Sequence, residues 1–437
     1  MTKTNKKLTF ILLTILIIVL SLFISMERAY SLESINIDAK AGIIYLADMD
    51  EILYEKGADH ICDMASVTKL LTTSVALEYL ELTDIVTFQE ESMTVDDLLH
   101  MVLMESNNEG ALCLAEAAAV KAKTDLNGFI ALMNDKVQSL GCTSTNIYNP
   151  SGLYDENMTC IEDVIKIAKD AFSNDIIRTV AGTSSYRLEN GSIVETTNLF
   201  LRNSESSDLT IKVPEGATLI AAKTGTYGHE VYRANMVALC KINGMECYVA
   251  ELDSEPDCRY SDMSTLMNEA MGLINPYTVF EGNCEFGEGK IWEGAVNTIV
   301  GVSKEEGLIN LPQGVSPSLV TTKTVYYDKL TAPIEEGSII GHINIYLSDE
   351  EIRSVELIAK DSIPKGWFLS KYRITNKQTI IIGAVAFVIV FLIILMFIVR
   401  ASNLKKKKRL REERLREEAR KKLEIERDRE RRNWKYR

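Results

Sequence analysis

An uncharged apolar run near the carboxyl end constrains the fold of this chain more than any other feature. The 21 residues from Thr379 to Val399 include no charged side chain, and about 20 apolar residues suffice to cross the hydrocarbon core of a bilayer. A buried core helix is the alternative interpretation, but the run lacks the polar face that such a helix normally has. We therefore predict a transmembrane helix over residues 379–399.

The charge of the chain changes sign at this run. From Arg400 to the end there are 18 Lys/Arg and 8 Asp/Glu, a net charge of +10, whereas the preceding residues carry 30 basic and 54 acidic side chains, a net charge of −24. Basic residues flank the cytoplasmic side of membrane spans. The sequence thus predicts an extracytoplasmic body, a single-pass carboxyl-terminal anchor in the cell membrane, and a basic cytoplasmic helical tail over residues 400–437. The acidic body also makes nucleic acid an improbable partner, because it has no means to neutralise phosphates.

A second apolar stretch lies at the amino end. It runs from Leu8 to Met26 after three lysines, and Ala29-Tyr30-Ser31 has the small residues of a cleavage site. This pattern is typical of a secretory signal peptide. The stretch is also long enough to span a bilayer, so residues 1–31 are a signal peptide or an uncleaved membrane segment.

The cysteines do not resemble a metal site. There are 8 Cys and 4 His in the chain and no Cys-x-x-Cys spacing, so we predict neither a metal ion nor an organic cofactor. Cys240 and Cys247 flank Asn243-Gly244, a two-residue hairpin turn that would place the two cysteines opposite each other. A disulfide is geometrically conceivable there, and two free thiols are the favoured alternative.

The order of elements predicts a sheet covered by helices. Two strand-like runs begin the body, a helical middle follows, and strands return from about Leu219 until a helix ends near Leu273. From about Phe280 to Pro364 only short β-rich runs separated by Gly, Pro and acidic turns occur, which predicts a small all-β domain. The predicted domains are residues 32–277 and 278–367.

A Ser-x-x-Lys motif opens the first long apolar helix of the body. In Ser66-Val67-Thr68-Lys69, residues three apart share one helix face, so the Lys69 amine can lie beside the Ser66 hydroxyl. Serine becomes a nucleophile when a base takes its proton, and lysine serves as that base when burial or a nearby cation lowers its pKa. Many helices carry this spacing, so the motif alone is weak evidence.

A second motif, Ser106-Asn107-Asn108, lies at the junction of two predicted helices. A loop there can point Ser106 and Asn108 into a cleft. The alternative interpretation is a polar turn with a helix N-cap, which is common.

A third motif, Lys223-Thr224-Gly225-Thr226, ends a predicted strand. Gly225 lacks a side chain, so another backbone can approach it. Lys223 and Thr224 offer a cation and a hydroxyl suited to a substrate carboxylate. An edge strand that ends in a turn is the alternative.

Together, the three motifs form the ordered set S-x-x-K, S-x-N and K-T-G, which resembles the set of penicillin-binding proteins and serine β-lactamases. The segment from Met64 to Thr72 is similar to the active-site helix of the low-molecular-mass D-Ala-D-Ala carboxypeptidases, peptidase family S11. The stretch from Phe129 to Leu153 resembles that family's segment between the second and third motifs. Ala332-Pro333-Ile334 with the following glycines resembles its β domain. The likeness covers roughly residues 37–367, and we find no acidic E-x-x-x-N loop like that of class A β-lactamases.

This resemblance implies an α/β (α+β) penicillin-binding-protein or β-lactamase-like transpeptidase fold, with a smaller all-β carboxyl-terminal domain. It implies a serine D,D-carboxypeptidase that removes the terminal D-alanine from peptidoglycan stem peptides and is acylated by β-lactam antibiotics. The implied catalytic residues are Ser66, Lys69 and Ser106. The implied substrate-binding residues are Asn108, Lys223, Thr224, Gly225 and Thr226.

Three positions depart from the family pattern. Ser151 stands where a His is expected in the Asn-Pro-His-Gly-Leu segment, Thr226 replaces a frequent aromatic residue or His, and Asp63-Met64 replaces a frequent Pro. None of these departures removes a catalytic group. Three alternatives to the carboxypeptidase remain: a D,D-endopeptidase, a β-lactamase of the same fold, or a catalytically inactive wall-binding scaffold.

Overall fold

The structure is a computed structural model, and it describes residues 35–153, 156–202, 212–228 and 230–434. The predicted signal segment, residues 1–31, lies outside the described residues. The chain divides into two compact units, one formed by residues 1–277 and 308–317 and the other by residues 278–307 and 318–437.

The first part of the chain contains eleven described strands and a short twelfth that follows them. In chain order they are β1 (Ala41–Leu46), β2 (Glu51–Lys56), β3 (Cys62–Asp63), β4 (Ile85–Phe88), β5 (Glu91–Thr94), β6 (Met158–Thr159), β7 (Ser185–Arg187), β8 (Ile193–Glu195), β9 (Ala217–Tyr227), β10 (Arg233–Ile242), β11 (Met245–Ser254) and β12 (Pro276–Thr278). Its described helices are α1 (Thr68–Ala76), α2 (Val95–Leu103), α3 (Asn108–Lys121), α4 (Leu126–Ser139), α5 (Ile161–Ser173), α6 (Asp175–Ala181), α7 (Leu199–Arg202) and α8 (Arg259–Leu273).

Five of these strands form the central sheet of the first unit, in the order β2-β1-β11-β10-β9. All neighbours are antiparallel. Alternate residues of β1 enter different hydrophobic cores: Ile43 packs with the helices of the middle segment, and Ile44 packs with α8. Both faces of the sheet are therefore covered, as the sequence predicted, and β9 lies at its edge.

The β10–β11 hairpin has the predicted turn. Asn243 and Gly244 both have positive φ, 51° and 89°, as the tight hairpin turn requires. Cys240 and Cys247 face each other in the ladder. Both are buried free thiols, which agrees with the favoured alternative, and burial raises the pKa of Cys247 to about 12.

The helix predicted from Ser66 to about Leu82 is shorter than expected. Ser66 lies on a 3-10 turn, Ala65–Val67, and α1 then ends at Ala76. After α1 the bonds tighten: the N–H of Tyr79 donates to the Ala76 carbonyl at 3.0 Å. Such 3-10 bonds satisfy the last carbonyls of a helix and end it.

The second unit contains most of the predicted all-β domain, a six-stranded sheet in the order β16-β18-β19-β14-β13-β17, whereas residues 308–317 with β15 belong to the first unit. The remaining strands are β13 (Glu285–Trp292), β14 (Thr298–Ser303), β15 (Leu308–Asn310), β16 (Val320–Tyr326), β17 (Leu330–Thr331), β18 (Ile339–Leu347) and β19 (Glu350–Ala359). Strand β15 pairs with β12 in a separate two-stranded sheet. Within the six-stranded sheet, β13 and β17 are parallel, and the other neighbours are antiparallel.

One continuous helix, α9 (Asn376–Trp434), contains both the apolar run and most of the basic tail. Thr375 and Gln378 form a reciprocal capping box at its start, because each side chain accepts a hydrogen bond from the other residue's N–H. The apolar part of α9 is long and hydrophobic enough to cross a membrane, and its residues 380–399 are all exposed. Helix α9 is a candidate membrane anchor.

Candidate active site

Ser66 and Lys69 are in direct contact. The Lys69 amine is within hydrogen-bond distance of the Ser66 Oγ, at 2.8 Å, as the three-residue spacing predicted. Lys69 has no exposed surface. Burial disfavours a charged ammonium group, and it lowers the pKa of Lys69 to about 7.

The Lys69 amine has two further partners, and both are carbonyl oxygens. They are the side-chain Oδ1 of Asn108, at 2.7 Å, and the backbone oxygen of Ser151, at 2.6 Å. A neutral amine has two hydrogens and one lone pair. If the hydrogens go to these two carbonyls, which can only accept, the lone pair is left to receive the proton of Ser66.

The loop that supplies the Ser151 oxygen is fixed by Asn157, which is fully buried. The Asn157 side chain accepts from the N–H of Tyr148 at 2.8 Å, and donates to Thr68 Oγ1 at 3.1 Å and to the Asn149 carbonyl at 2.8 Å. Because Ser151 contacts Lys69 through its backbone, the absence of the expected His at this position does not remove that contact.

Ser66 sits on a backbone turn that is strained. Ala65 has φ = 48°, a conformation that costs energy for any residue with a Cβ and that concentrates at functional sites. Asp63 supports the turn, since its Oδ1 accepts from the Ala65 N–H at 2.6 Å. The Asp that replaces the expected Pro thus holds the backbone beside the nucleophile.

Ser106 and Lys223 form a second pair in the site. The Lys223 amine donates to Ser106 Oγ at 3.0 Å and to the Thr224 carbonyl at 2.8 Å. Burial, followed by the positive charges of Lys69 and Arg259, holds the pKa of Lys223 well below its usual value. The two lysines are thus coupled, and an anion that enters this site would favour the charged form of Lys223.

The second motif performs two tasks. Asn107 is the N-cap of α3, and its side chain accepts from the Gly110 N–H at 2.8 Å. Ser106 has a positive φ of 61°, and this turn directs Ser106 toward Lys223 while Asn108 reaches Lys69. Asn107 thus forms the helix cap of the alternative interpretation, while Ser106 and Asn108 contact the two lysines.

Gly225 is the point where β9 approaches the nucleophile. A Cβ built on Gly225 would lie 3.0 Å from the Ala65 Cβ and 3.3 Å from the Ser66 nitrogen. Both distances are tight, so only glycine fits without displacement of a neighbour. The structure thus agrees with the prediction that Gly225 allows another backbone to approach.

Arg259, at the start of α8, is a residue that the sequence reasoning missed. Its guanidinium donates to the Gly225 carbonyl at 2.7 Å and to Thr226 Oγ1 at 2.6 Å. The side chain is nearly buried, with 9% exposure. The contact joins residues more than 30 positions apart, and no local pattern around Arg259 marks it.

The predicted residues meet in one place. Ser66 and Asn108 contact Lys69, and Gly225 lies close to Ser66. Ser106 contacts Lys223, and the charge of Lys69 acts on Lys223. The Thr226 hydroxyl accepts from Arg259, which also holds the Gly225 carbonyl. The Thr224 hydroxyl lies 3.2 Å from the hydroxyl of Thr197. The arrangement combines a nucleophile, a buried base of lowered pKa and a second buried amine on an edge strand, a set of groups that suits acyl transfer.

Among the described residues, one group has the donor set of a metal site. The ligand atoms of Asp38, Glu255 and Cys258 lie within 4.8 Å of one another, and both carboxylates are exposed. None of the three belongs to the Ser66 arrangement, and no step of the chemistry below uses them.

Comparison with known proteins decides the family. Residues 79–255 match the family described as D-alanyl-D-alanine carboxypeptidase, Peptidase_S11, and residues 275–365 match the family of the penicillin-binding protein 5 carboxyl-terminal domain. Most of the first unit thus matches the D-alanyl-D-alanine carboxypeptidases of peptidase family S11. This confirms the family and the enzyme class that the sequence predicted. The S-x-x-K motif lies just before the first matched region.

Individual relatives agree with this assignment. D-alanyl-D-alanine carboxypeptidase DacC of Escherichia coli is 23% identical over 78% of this chain and 88% of its own length. A D-alanyl-D-alanine endopeptidase of Haemophilus influenzae is 26% identical over 38% of this chain and 62% of its own length. The second relative is matched over a much smaller part of the chain.

Solved structures confirm the fold. Penicillin-binding protein 3 of Streptococcus pneumoniae has a TM-score of 0.64 at 21% identity and covers 75% of this chain and 100% of its own. Penicillin-binding protein 5 of Haemophilus influenzae has a TM-score of 0.60 at 20% identity and covers 76% of this chain and 98% of its own. The predicted penicillin-binding-protein fold with an all-β carboxyl-terminal domain is correct.

Proposed function

We propose that this S11 family member removes the terminal D-alanine from peptidoglycan stem pentapeptides through an acyl-enzyme on Ser66, which would limit cross-linking of the wall. The observation that carries the proposal is the set of Lys69 partners. With Asn108 and Ser151 as acceptors, the lone pair of neutral Lys69 points at the Ser66 hydroxyl. A pKa of about 7 leaves a large share of Lys69 neutral at physiological pH.

In the first step, the Ser66 oxygen attacks the carbonyl between the two D-alanines while Lys69 takes the hydroxyl proton. The backbone N–H groups of Ser66 and Thr226 are the proposed oxyanion hole, where each donor contributes about 3–4 kcal/mol in comparable sites. The close approach at Gly225 supports this arrangement, because it brings the backbone of β9 next to the Ser66 nitrogen.

Collapse of the tetrahedral intermediate releases D-alanine. Ser106 is proposed to pass a proton to the departing amine, and Asn108 to hold the substrate amide. Lys223 and Thr224 are proposed to bind the terminal carboxylate, whose negative charge would favour the protonated Lys223 that binds it best. Water then hydrolyses the acyl-enzyme. Arg259 positions Gly225 and Thr226 from the opposite face of the strand.

The substrate would bind along β9 as an added strand. This strand forms one edge of the central sheet, so its outer side offers unpaired backbone groups to a peptide. A β-lactam would occupy the same position, acylate Ser66 and leave slowly.

The location follows from the charge pattern. The single-pass anchor would be α9, with the basic tail in the cytoplasm and Ser66 on the same side as peptidoglycan. The membrane is then a partner, together with the stem peptide and β-lactam antibiotics.

One alternative has a specific observation in its favour. The likeness to an endopeptidase favours a scissile bond in a cross-link between stem peptides. That likeness covers far less of the chain than the likeness to a carboxypeptidase, so we favour the carboxypeptidase. Purified cross-linked dimers of stem peptides would distinguish the two, since an endopeptidase converts them to monomers.

Labelling with a fluorescent penicillin tests the proposed nucleophile. The wild-type chain should form one covalent adduct, and Ser66→Ala should form none. Ser139→Ala is a matched control, since Ser139 is exposed on α4 and its hydroxyl donates to the Lys136 carbonyl of the same helix. Equal labelling of Ser66→Ala and wild type would refute Ser66 as the nucleophile. Rapid turnover of the penicillin would favour a β-lactamase instead.

A further inference from the structure

The part of the second unit that leads into α9 exposes four aromatic side chains. Trp292, Trp367, Phe368 and Tyr372 are 41%, 51%, 75% and 67% exposed. We call these four residues the aromatic collar. Large aromatic side chains are usually buried inside a protein. A cluster of exposed ones therefore indicates a surface that contacts a membrane or another molecule.

Basic residues outnumber acidic ones around the collar, where Glu293, next to Trp292, pairs with Lys365 at 3.3 Å. The sequence has no Asp or Glu between Asp361 and Glu412. Lys371, Arg373 and Lys377 are exposed in this interval. The chain before residue 400 is strongly acidic, so a basic interval beside the collar is a local exception. It complements the phosphates of an anionic lipid surface, whereas the same basic interval of a second copy would repel it.

Two of these cations already lie over collar rings. The Arg373 guanidinium is 5.1 Å from the centre of the Trp292 ring, and the Lys371 ammonium is 5.1 Å from that of Tyr372. Aromatic rings paired with basic groups suit the boundary between water and hydrocarbon, where Trp and Tyr are enriched.

Hydrogen bonds tie the collar to the start of α9. The Asn376 side-chain oxygen accepts from the backbone N–H of Trp367 at 2.8 Å. The backbone N–H of Asn376 donates to the Ala295 carbonyl at 3.1 Å. The Asn297 side chain donates to the Arg373 carbonyl at 2.7 Å. The collar therefore keeps a fixed position relative to the beginning of the helix.

That position corresponds to the lipid headgroups. The apolar run begins at Thr379, three residues after Asn376, which is about 4.5 Å along a helix. The headgroup region is about 5–7 Å thick on each side of the hydrocarbon core. The run of 21 residues spans about 31 Å, close to the core thickness of about 30 Å. When the run fills the core, the collar lies at headgroup depth.

We propose that the aromatic collar, with Lys371, Arg373 and Lys377, is a lipid-binding surface that seats the second unit on the outer leaflet of an anionic bilayer. This inference rests on the proposed membrane span of α9 and goes beyond it. A span alone requires only a tether, whereas this surface fixes the orientation of the second unit against the membrane.

The three tryptophans of the chain, Trp292, Trp367 and Trp434, allow a direct test. The full chain with Trp292→Phe and Trp434→Phe retains Trp367 as its only reporter. It is reconstituted into phosphatidylcholine and phosphatidylglycerol vesicles whose acyl chains carry bromine either near the headgroup or near the chain end. We expect about twofold quenching by the shallow bromines and much less by the deep ones, as for an interfacial residue.

A matched control places the reporter at the far end of the same sheet. Ile339 of β18 pairs with Ile358, near the end of β19 from which the chain runs on to the collar. The reporter Tyr346→Trp, with all three native tryptophans changed to Phe, lies seven residues along β18 from Ile339, about 23 Å away at the rise of a strand. This reporter should not be quenched. The triple variant Lys371→Gln, Arg373→Gln, Lys377→Gln should reduce quenching of Trp367 in anionic vesicles and leave the span intact.

Resistance to alkaline carbonate extraction reports the span separately. If the chain resists extraction but Trp367 is quenched no more than the Tyr346→Trp reporter, the lipid-binding surface is refuted while the span survives. If carbonate removes the chain from the vesicles, both the span and the surface are overturned. Deep quenching of Trp367 would also contradict the proposal, since it would place the collar inside the hydrocarbon.

Discussion

The buried amine of Lys69 should set the pH dependence of acylation. Only neutral Lys69 can take the proton of Ser66, so the acylation rate should follow the neutral fraction of this lysine. Burial lowers its pKa from 10.5 to about 7. Lowering the pH therefore protonates the base and should reduce the rate of β-lactam acylation.

The magnitude follows from the pKa. With a pKa of about 7, the neutral fraction is about 9% at pH 6 and about 91% at pH 8, so the rate should rise about tenfold and then level off by pH 9. With an ordinary lysine pKa the same interval would give a rise of about a hundredfold, and the rate would still climb at pH 9. The shape of the curve distinguishes the two cases.

The assay is stopped-flow acylation of the purified chain by a fluorescent penicillin from pH 5.5 to 9.5, under single-turnover conditions. Lys121→Gln is the control for loss of a lysine charge, because Lys121 pairs with Asp84 on the surface, and its profile should match the wild type. A rate that is flat between pH 6 and 8, or that rises steadily to pH 9.5, would refute Lys69 as a base of lowered pKa. Because Lys69 and Lys223 are coupled, the measured midpoint belongs to the pair.

Three further changes test the supports of the site. Gly225→Ala should slow acylation on the order of tenfold, because the new Cβ meets Ala65 and displaces the reacting backbone. The control Gly272→Ala has open space around the new Cβ and should be acylated at the normal rate. Arg259→Lys should lower kcat/KM for a D-Ala-D-Ala peptide on the order of tenfold, since lysine cannot form both hydrogen bonds of the guanidinium group. Unchanged kinetics would show that Arg259 does not position Thr226. Asn157→Ala should reduce the free energy of unfolding by about 1–3 kcal/mol, because it leaves backbone groups of the Ser151 loop without partners. A decrease below about 0.5 kcal/mol in the free energy of unfolding, measured by denaturant titration, would contradict this.

Local patterns predicted many of the elements and the contact between Ser66 and Lys69. The spacing of Ser66 and Lys69 anticipated their hydrogen bond, and Asn243-Gly244 anticipated the register that sets Cys240 against Cys247. These inferences succeeded because helix faces and tight turns depend on neighbours in sequence.

Contacts between distant segments were not predictable in the same way. Nothing near Ser151 indicates that its backbone oxygen would accept from Lys69, 82 positions away. Likewise, nothing near Arg259 indicates that its guanidinium would donate to Gly225 and Thr226 of β9. The sequence placed Ser66 within the helix, whereas the structure places it on a strained 3-10 turn, where the Asp63 side chain supports the backbone of Ala65. Such placements depend on tertiary packing, which periodicity does not encode.

Release of D-alanine from a stem pentapeptide that ends in D-Ala-D-Ala tests the central proposal most directly. The full chain, in detergent or vesicles, is incubated with the peptide, and free D-alanine is measured against Ser66→Ala and against the same peptide ending in L-alanine. The account predicts D-alanine release by the wild type alone, from the D-Ala-D-Ala peptide alone. A chain that is acylated by penicillin at Ser66 yet releases no D-alanine above the Ser66→Ala background would contradict it.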